Sequence, residues 1–375
     1  TITAQPFDID GNPASLSTAE LQRIQYIWQR VAEDYAPFDV NVTTQDPGID
    51  AIDRSSPNDD SYGTVAVITS DRTRIAPRCV CGGLGFVNVI GLSSTSTHRT
   101  YQPALAFSAN LGEGYPKYVA EATSHEIGHT FGLLHDGTTT AGYYAGQGAW
   151  APIMGASYNH PISQWSRGDY ANANNKQDDM AIIAADAGYA PDEPGTSPTT
   201  APQLSPDSPT RGVIANATDS DWYAVVSSGG SISIRASWSA FADLDTRLDL
   251  YDSQGTLLLT DNPSVPVPQE SEWATSGLDA ALVTTVAAGR YYVKVSGAGQ
   301  GDPRDTGYSS YGSAGRYELT TSGAVTRPVG AITTSSLGTA TVGVPYSTTL
   351  ATSADASCPC TWKATWAMRS ISGRE

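Results

Sequence analysis

His125-Glu126-Ile127-Gly128-His129-Thr130-Phe131-Gly132-Leu133-Leu134-His135-Asp136 holds three of the chain's five histidines within eleven residues. Helical spacing over 117–131 puts His125 and His129 one turn apart on one face, where two imidazoles reach a single metal ion. Glu126 falls on the adjoining face, close to such an ion without being forced to bind it. His135 cannot join them on a continued helix. Ten residues at about 1.5 Å each carry it roughly 15 Å along the axis, and a zinc–nitrogen bond spans about 2.0–2.1 Å. The chain must therefore leave the helix and fold back. Gly132 is the residue that takes the left-handed conformation such a stop requires.

Three neutral imidazoles with a fourth position open are the pattern of a catalytic zinc. A structural zinc is disfavoured, because its fourth position would be filled. A core helix with a few satisfied histidines explains one histidine well. It does not explain H-E-x-x-H, Gly132 and His135 together.

The extended pattern from His125 to His135 resembles the signature of the metzincin zinc endopeptidases, which a methionine turn follows. Ala151-Pro152-Ile153-Met154-Gly155 is similar to that turn, and the resemblance makes Met154 the apolar floor beneath the zinc. Asp136, directly after the third histidine, looks like the adamalysin (reprolysin) branch in its bacterial secreted form, where it is a structural anchor. Gly82-Gly83-Leu84-Gly85-Phe86-Val87-Asn88-Val89-Ile90 resembles that branch's edge strand, to which an extended substrate adds by backbone hydrogen bonds. Leu84, Gly85 and Phe86 are the implied substrate-binding residues.

The resemblance covers roughly residues 1–190 and implies a secreted zinc endopeptidase acting on proteins or peptides. Zn²⁺ on His125, His129 and His135 would lower the pKa of bound water from about 15.7 toward about 7. Glu126 would accept that water's proton and pass it to the leaving amine. Position 156, a tyrosine in some of these enzymes, is Ala. Tyr158 receives no role, and His98 and His160 read as surface or pocket-wall histidines. The competing expectation is an inactive metalloprotease fold serving surface adhesion, supported by the β-rich second half and opposed by the retention of Glu126.

A net charge of −17 over 375 residues argues against nucleic acid and anionic membranes as partners. No apolar run approaches the roughly 20 residues of a membrane span, and a monomer is expected. The four cysteines form two C-x-C pairs, Cys79/Cys81 and Cys358/Cys360. Local disulfides in an oxidising compartment are favoured over a zinc site shared by the two pairs, with free thiols as the remaining reading.

Ser17-Thr18-Ala19-Glu20 reads as a capping box. The helix it opens carries Leu21, Ile24, Trp28, Val31 and Tyr35 at helical spacing and ends before Pro37. Short strands are expected at 40–44, 64–69, 84–90 and 104–108, then the zinc helix, then a helix over 178–187 that stops at Gly188. The family's sheet opens with a strand before its first long helix. Pro6, Gly11 and Pro13 make 1–16 a poor one, so the catalytic domain (1–190) is expected to lack its first strand.

Residues 190–207 contain five prolines and read as an extended linker, centred on 191–205. Alternating runs follow at 222–226, 231–237, 247–251, 256–259, 281–286, 291–296 and 316–320. Ser-Gly-Gly and Ser-Gln-Gly read as turns between them, which indicates an antiparallel β-sandwich. Asp219-Ser220-Asp221-Trp222-Tyr223, Leu248-Asp249-Leu250-Tyr251-Asp252 and Gly289-Arg290-Tyr291-Tyr292-Val293-Lys294-Val295 resemble the bacterial pre-peptidase C-terminal domain, over 206–322. Asp219, Asp221, Asp249 and Asp252 are candidate Ca²⁺ ligands, with solvated turn acids as the plain alternative. Leu337-Gly338-Thr339-Ala340-Thr341-Val342-Gly343-Val344-Pro345-Tyr346-Ser347 is similar to the opening of an immunoglobulin-like repeat. The remaining 323–375 are too few for a whole one and are expected to be poorly ordered. The expected architecture is multidomain: an α/β (α+β) metzincin catalytic domain followed by an all-β antiparallel sandwich.

Overall fold

A computed structural model describes residues 4–70, 72–192, 195–238, 241–264, 277–328, 346–349 and 363–366. The first helix, α1 (Thr18–Asp34), opens on the capping box: Glu20 N–H donates to the Ser17 hydroxyl, and Ser17 N–H donates to the Glu20 carboxylate. The apolar stripe expected from sequence is met in part: Val31 and Tyr35 are buried and Ile24 packs against the same core, whereas Leu21 and Trp28 are exposed and Tyr26, Ile27, Arg30 and Asp34 are buried in addition. Arg30 and Asp34 are charged, and both find partners on a second long helix.

The next elements are β1 (Ala66–Thr69), α2 (Arg72–Ile75), β2 (Gly83–Leu84), α3 (Thr95–Thr100) and β3 (Ala104–Phe107). The sheet runs β1-β3-β2, with β1 parallel and β2 antiparallel to β3. Two expected strands are corrected. Residues 40–44 form none: Asp39 N–H donates to Gly188 O, and Val42 O accepts from the Trp28 indole, so their partners are not strands. The strand expected over 84–90 ends at Leu84. Beyond it, Asn88, Val89 and Ile90 give their N–H groups to His129 O and Thr130 O. They satisfy carbonyls that a helix end leaves without partners. Residues 4–16 carry no strand.

That helix is α4 (Pro116–Phe131), with proline in its first turn, where a missing N–H costs nothing. It packs on α1 through a buried Arg30–Glu121 ion pair at 2.8 Å, and Glu121 also takes Lys117, Ser157 and Ser163. β4 (Trp150–Pro152) runs parallel to β5 (Ile162–Gln164) and brings the Met154 turn under α4. α5 (Asp179–Ala187) closes this half and stops at Gly188.

The second half is one antiparallel sheet of six strands: β6 (Thr210–Ile214), β7 (Ser220–Ser237), β8 (Thr246–Tyr251), β9 (Leu257–Asp261), β10 (Ala280–Gly297) and β11 (Gly315–Val325), in the order β6-β11-β7-β10-β8-β9. Four expected strands prove to be two, because β7 and β10 run on for 18 residues each. Ser228-Gly229-Gly230 is a bend within β7; Gly229 and Gly230 hold φ of 91° and 135°, which glycine alone adopts freely. Inward residues from both halves of the long pair, among them Tyr223, Val225, Ile232, Ile234, Leu282, Val293 and Val295, meet in one core.

The expected linker is corrected too. Gly195 and Pro202 accept from Trp222 and Ala224 on β7, Leu204 N–H donates back to Ala224 O, and Ala201 and Leu204 are buried. Over residues 220–226 the flank of β7 away from β10 has no β11 partner. The proline-rich segment covers that edge, where a missing N–H is tolerated.

The two halves share packing. Tyr311 and Ala314 join the core beneath α4. The Tyr311 hydroxyl binds Asp178, Trp238 binds Glu33, and Arg316 reaches Ala32 O and Glu33 on α1. β12 (Tyr346–Thr349) and β13 (Lys363–Trp366) pair antiparallel. Cys79 and Cys81 form a disulfide. Cys358, Cys360 and most of the expected immunoglobulin-like segment lie outside the described residues. Among the described residues no helix is long and apolar enough to cross a membrane.

Candidate metal centre

α4 presents His125 and His129 from its last two turns. Gly132, at φ 109°, ends it: Gly132 N–H donates to His129 O and Leu133 N–H to Gly128 O. A Cβ on Gly132 would meet only ordinary contacts at 3.5 Å from Asn88, so it is the conformation that calls for glycine. The reversal brings His135 back. The ring centroids lie 4.8 Å (His125–His129), 5.2 Å (His125–His135) and 4.8 Å (His129–His135) apart. One ring nitrogen from each lies within 4.8 Å of the others, and His129 Nε2 is 3.0 Å from His135 Nε2.

The outer ring nitrogens explain the orientation. His125 Nδ1 lies 2.9 Å from Ile153 O, and His129 Nδ1 2.7 Å from Leu133 O. A carbonyl can only accept, so both Nδ1 atoms carry the proton and both Nε2 atoms present a lone pair inward. Lone pairs converging in this way repel unless a cation or a proton lies between them. Burial, then the neighbouring His129, pushes His125 down to about 3, and burial lowers His129 and His135 as well. All three rings are neutral near pH 7, the form a metal binds.

Glu126 is buried beside them. Desolvation pushes its carboxyl up to about 8, opposed by a hydrogen bond from the Gly85 N–H. β2 crosses so closely that a Cβ on Gly83 would lie 2.5 Å from Glu126 Oε1, and one on Gly85 2.3 Å from Glu126 O. Of the three residues expected to bind substrate, only Leu84 lies in a strand. Gly85 turns its N–H to Glu126, and Phe86 is exposed on the following loop, edge-on to Tyr101.

Met154 is fully buried, and a Cβ on Gly128 would come within 2.7 Å of its sulfur. Asp136 ties the third histidine to this turn, its N–H donating to Met154 O at 2.8 Å and its O accepting from Tyr144 N–H at 2.7 Å. Burial raises the Asp136 carboxyl to about 7, against side-chain hydrogen bonds from Ser166 and Asn175. His98 departs from expectation: it is fully buried, edge-on to Tyr62 and away from the cluster. His160 bonds Gly148 O, and Tyr158 is half-buried against Tyr118.

Gly83, Gly128 and Tyr143, whose Oη lies 3.2 Å from His135 Nε2, escaped the sequence reading, and Gly85 entered it only as a substrate-binding residue. The glycines stood inside quoted motifs, and their spacing gave no sign of the close approaches. Of the four candidate calcium ligands, Asp219 and Asp221 come together with Asp192. Asp249 is held by Arg247, Thr260 and Lys294, and Asp252 by backbone N–H groups of its own turn.

No protein-family model matches the chain, and neither does any curated protein. Among solved structures, the pre-peptidase C-terminal domain of collagenase from Bacillus anthracis is similar over 36% of this chain and 98% of that one, at 15% identity and a TM-score of 0.23. This is a distant likeness that assigns no chemistry to the site.

Proposed function

We propose that the chain is an exported zinc endopeptidase. The observation that carries this reading is the anchoring of His125 and His129 through Nδ1 on main-chain carbonyls, which turns their Nε2 lone pairs toward His135 beside a buried carboxylate. His125, His129 and His135 would hold the ion. Bound zinc supplies a Lewis acid for the scissile carbonyl and a water of lowered pKa.

The remaining work falls to the chain's own groups. Glu126 accepts the water's proton and delivers it to the leaving amine. Its burial suits it to that role, since a carboxylate deprived of solvent binds a proton more firmly. The Gly85 N–H holds the carboxylate in place, and the glycines at 83 and 85 let β2 lie against it. A peptide laid along the outer side of β2 would run past the histidines, gaining affinity from backbone hydrogen bonds and little side-chain selectivity. The Cys79–Cys81 disulfide, four residues before Gly85, supports an oxidising compartment and hence export.

Hydrolysis of casein by the full chain, abolished by chelator and restored by zinc, is the expected result. A chain that binds zinc stoichiometrically and cleaves no peptide would favour the adhesive reading.

A further inference from the structure

β2 is weakly secured by its own pairing. It lies at the edge of its sheet and meets β3 through two residues, Gly83 opposite Ala106 and Leu84 opposite Leu105. Three of the four residues from Gly82 to Gly85 are glycine. Glycine gives up more backbone freedom on ordering than any other residue, so this short edge needs a constraint from outside. Its position is nevertheless exacting. A Cβ on Gly83 would lie 2.5 Å from Glu126 Oε1, and the Gly85 N–H is the group that holds the Glu126 carboxylate.

The constraint lies in the chain just before it. Cys79 and Cys81 close a disulfide across Val80 alone, and Val80 is 97% exposed. Both cysteine carbonyls are gripped by side chains, Cys79 O by the Arg72 guanidinium and Cys81 O by the Asn110 amide at 2.7 Å. Cys79 N–H donates to Ala76 O at 3.0 Å, and Gly82 O accepts from Phe107 N–H at 2.7 Å. So small a ring fixes the backbone of Val80, and with it the direction in which the chain enters Gly82. Opening the ring returns backbone freedom to a segment that continues into Gly82 and Gly83. Both cysteines are only half-buried, within reach of a small thiol.

We propose that the Cys79–Cys81 disulfide is a redox latch on β2: the chain hydrolyses peptides while the bond is closed and idles once it is open. The proposal rests on the zinc endopeptidase reading and concerns the control of that site. Opening is thiol–disulfide exchange with a small dithiol. A thiolate of the dithiol attacks one sulfur, the S–S bond breaks, and the resulting mixed disulfide is resolved by the second thiol. Two electrons and two protons end on Cys79 and Cys81, and the dithiol leaves as a disulfide. Closing is the same exchange in reverse, against an oxidised dithiol. A reducing cytoplasm keeps such thiols open and an oxidising exterior closes them. The chain is therefore idle inside the cell that makes it and active after export.

The test measures peptide turnover, zinc content and free thiols mapped by mass spectrometry on the full chain, before and after a phosphine reductant. Opening Cys79–Cys81 should lower turnover by about tenfold or more, through a displaced β2, with zinc unchanged. An oxidised dithiol should then restore it. Neither result needs a variant to fold. Cys79→Ser combined with Cys81→Ser should stay at the lowered rate with or without reductant, and Cys358→Ser combined with Cys360→Ser should respond as the parent does. Full turnover with both thiols open and zinc bound would overturn the proposal and leave the zinc endopeptidase reading standing. So would turnover lost only in step with zinc, a bond that the reductant cannot open in the native chain, or a Cys79→Ser, Cys81→Ser chain as active as the oxidised parent. An oxidised parent that binds zinc and hydrolyses no peptide would overturn that reading, and the latch with it.

Discussion

His125 and His129 owe the inward turn of their Nε2 atoms to two carbonyls, and this gives the site a pH signature. Their folded pKa values are depressed, so between the folded value and the free-imidazole value of about 6.5 the folded chain holds fewer protons than the unfolded one. Stability and metal retention are present above that window and are lost as pH falls through it. Dialysis across pH followed by metal analysis should place half-loss below about 6.5; a midpoint at or above that value would contradict the buried, neutral site. Gly128 is equally specific. A methyl there meets the Met154 sulfur at 2.7 Å and Leu133 and Trp165 at 3.3 Å, so Gly128→Ala should cost about 1–3 kcal/mol by overpacking. Chemical denaturation would measure it, and an unchanged midpoint would contradict the packing. The convergence of the three histidines was legible because a helical period and one glycine nearly dictate where they go. The contacts of Gly128 and Tyr143 were not, since they arise where the 133–154 segment returns to α4.

At the scale of elements, what sequence conveyed well was whatever is fixed locally. The capping box, the helix expected over 117–131 and the stop at Gly188 follow from neighbours in the chain. The errors arose where distant segments decide. Residues 85–90 abandon strand geometry to cap the carbonyls of α4, and Arg30 and Asp34 turn inward because Glu121 and Ser124 await them. Residues 195–204 read as a linker from composition, and they serve as the missing partner of β7. They should therefore resist limited proteolysis of the native chain, with fragments mapped by mass spectrometry. A first cut within 195–204 would show the segment to be free.

Across the whole molecule, the contact between the two halves buries an unusual set of charges. Asp34 on α1 and Asp243 in the second half are hydrogen-bonded to each other through their carboxyls, with Arg30, Lys117 and Glu121 around them. Burial, then Glu121, pushes Asp34 up to about 7, and burial, then Asp34, raises Asp243 well above the ordinary carboxylate range. The docked state therefore keeps a proton that the unfolded chain has released above about 3.9. With the raised folded value, stability falls as pH rises from about 4 to about 7. Asp243→Asn removes one titrating partner and can still donate to Asp34. The difference in Tm between about pH 5 and about pH 8 should shrink relative to the parent, and an unchanged difference would exclude the carboxyl pair as a contributor.

The central claim is that Glu126 works on a metal it does not hold. Zinc content and peptide turnover measured together on the parent and on Glu126→Gln test it most directly. The substitution keeps the side chain's size and all three imidazoles, so zinc should stay near one per chain while turnover falls by about 10²–10⁴-fold or more. His129→Ala should lose both, because two imidazoles make a far weaker site. Turnover by Glu126→Gln at the parent's rate, with zinc bound, would contradict the account.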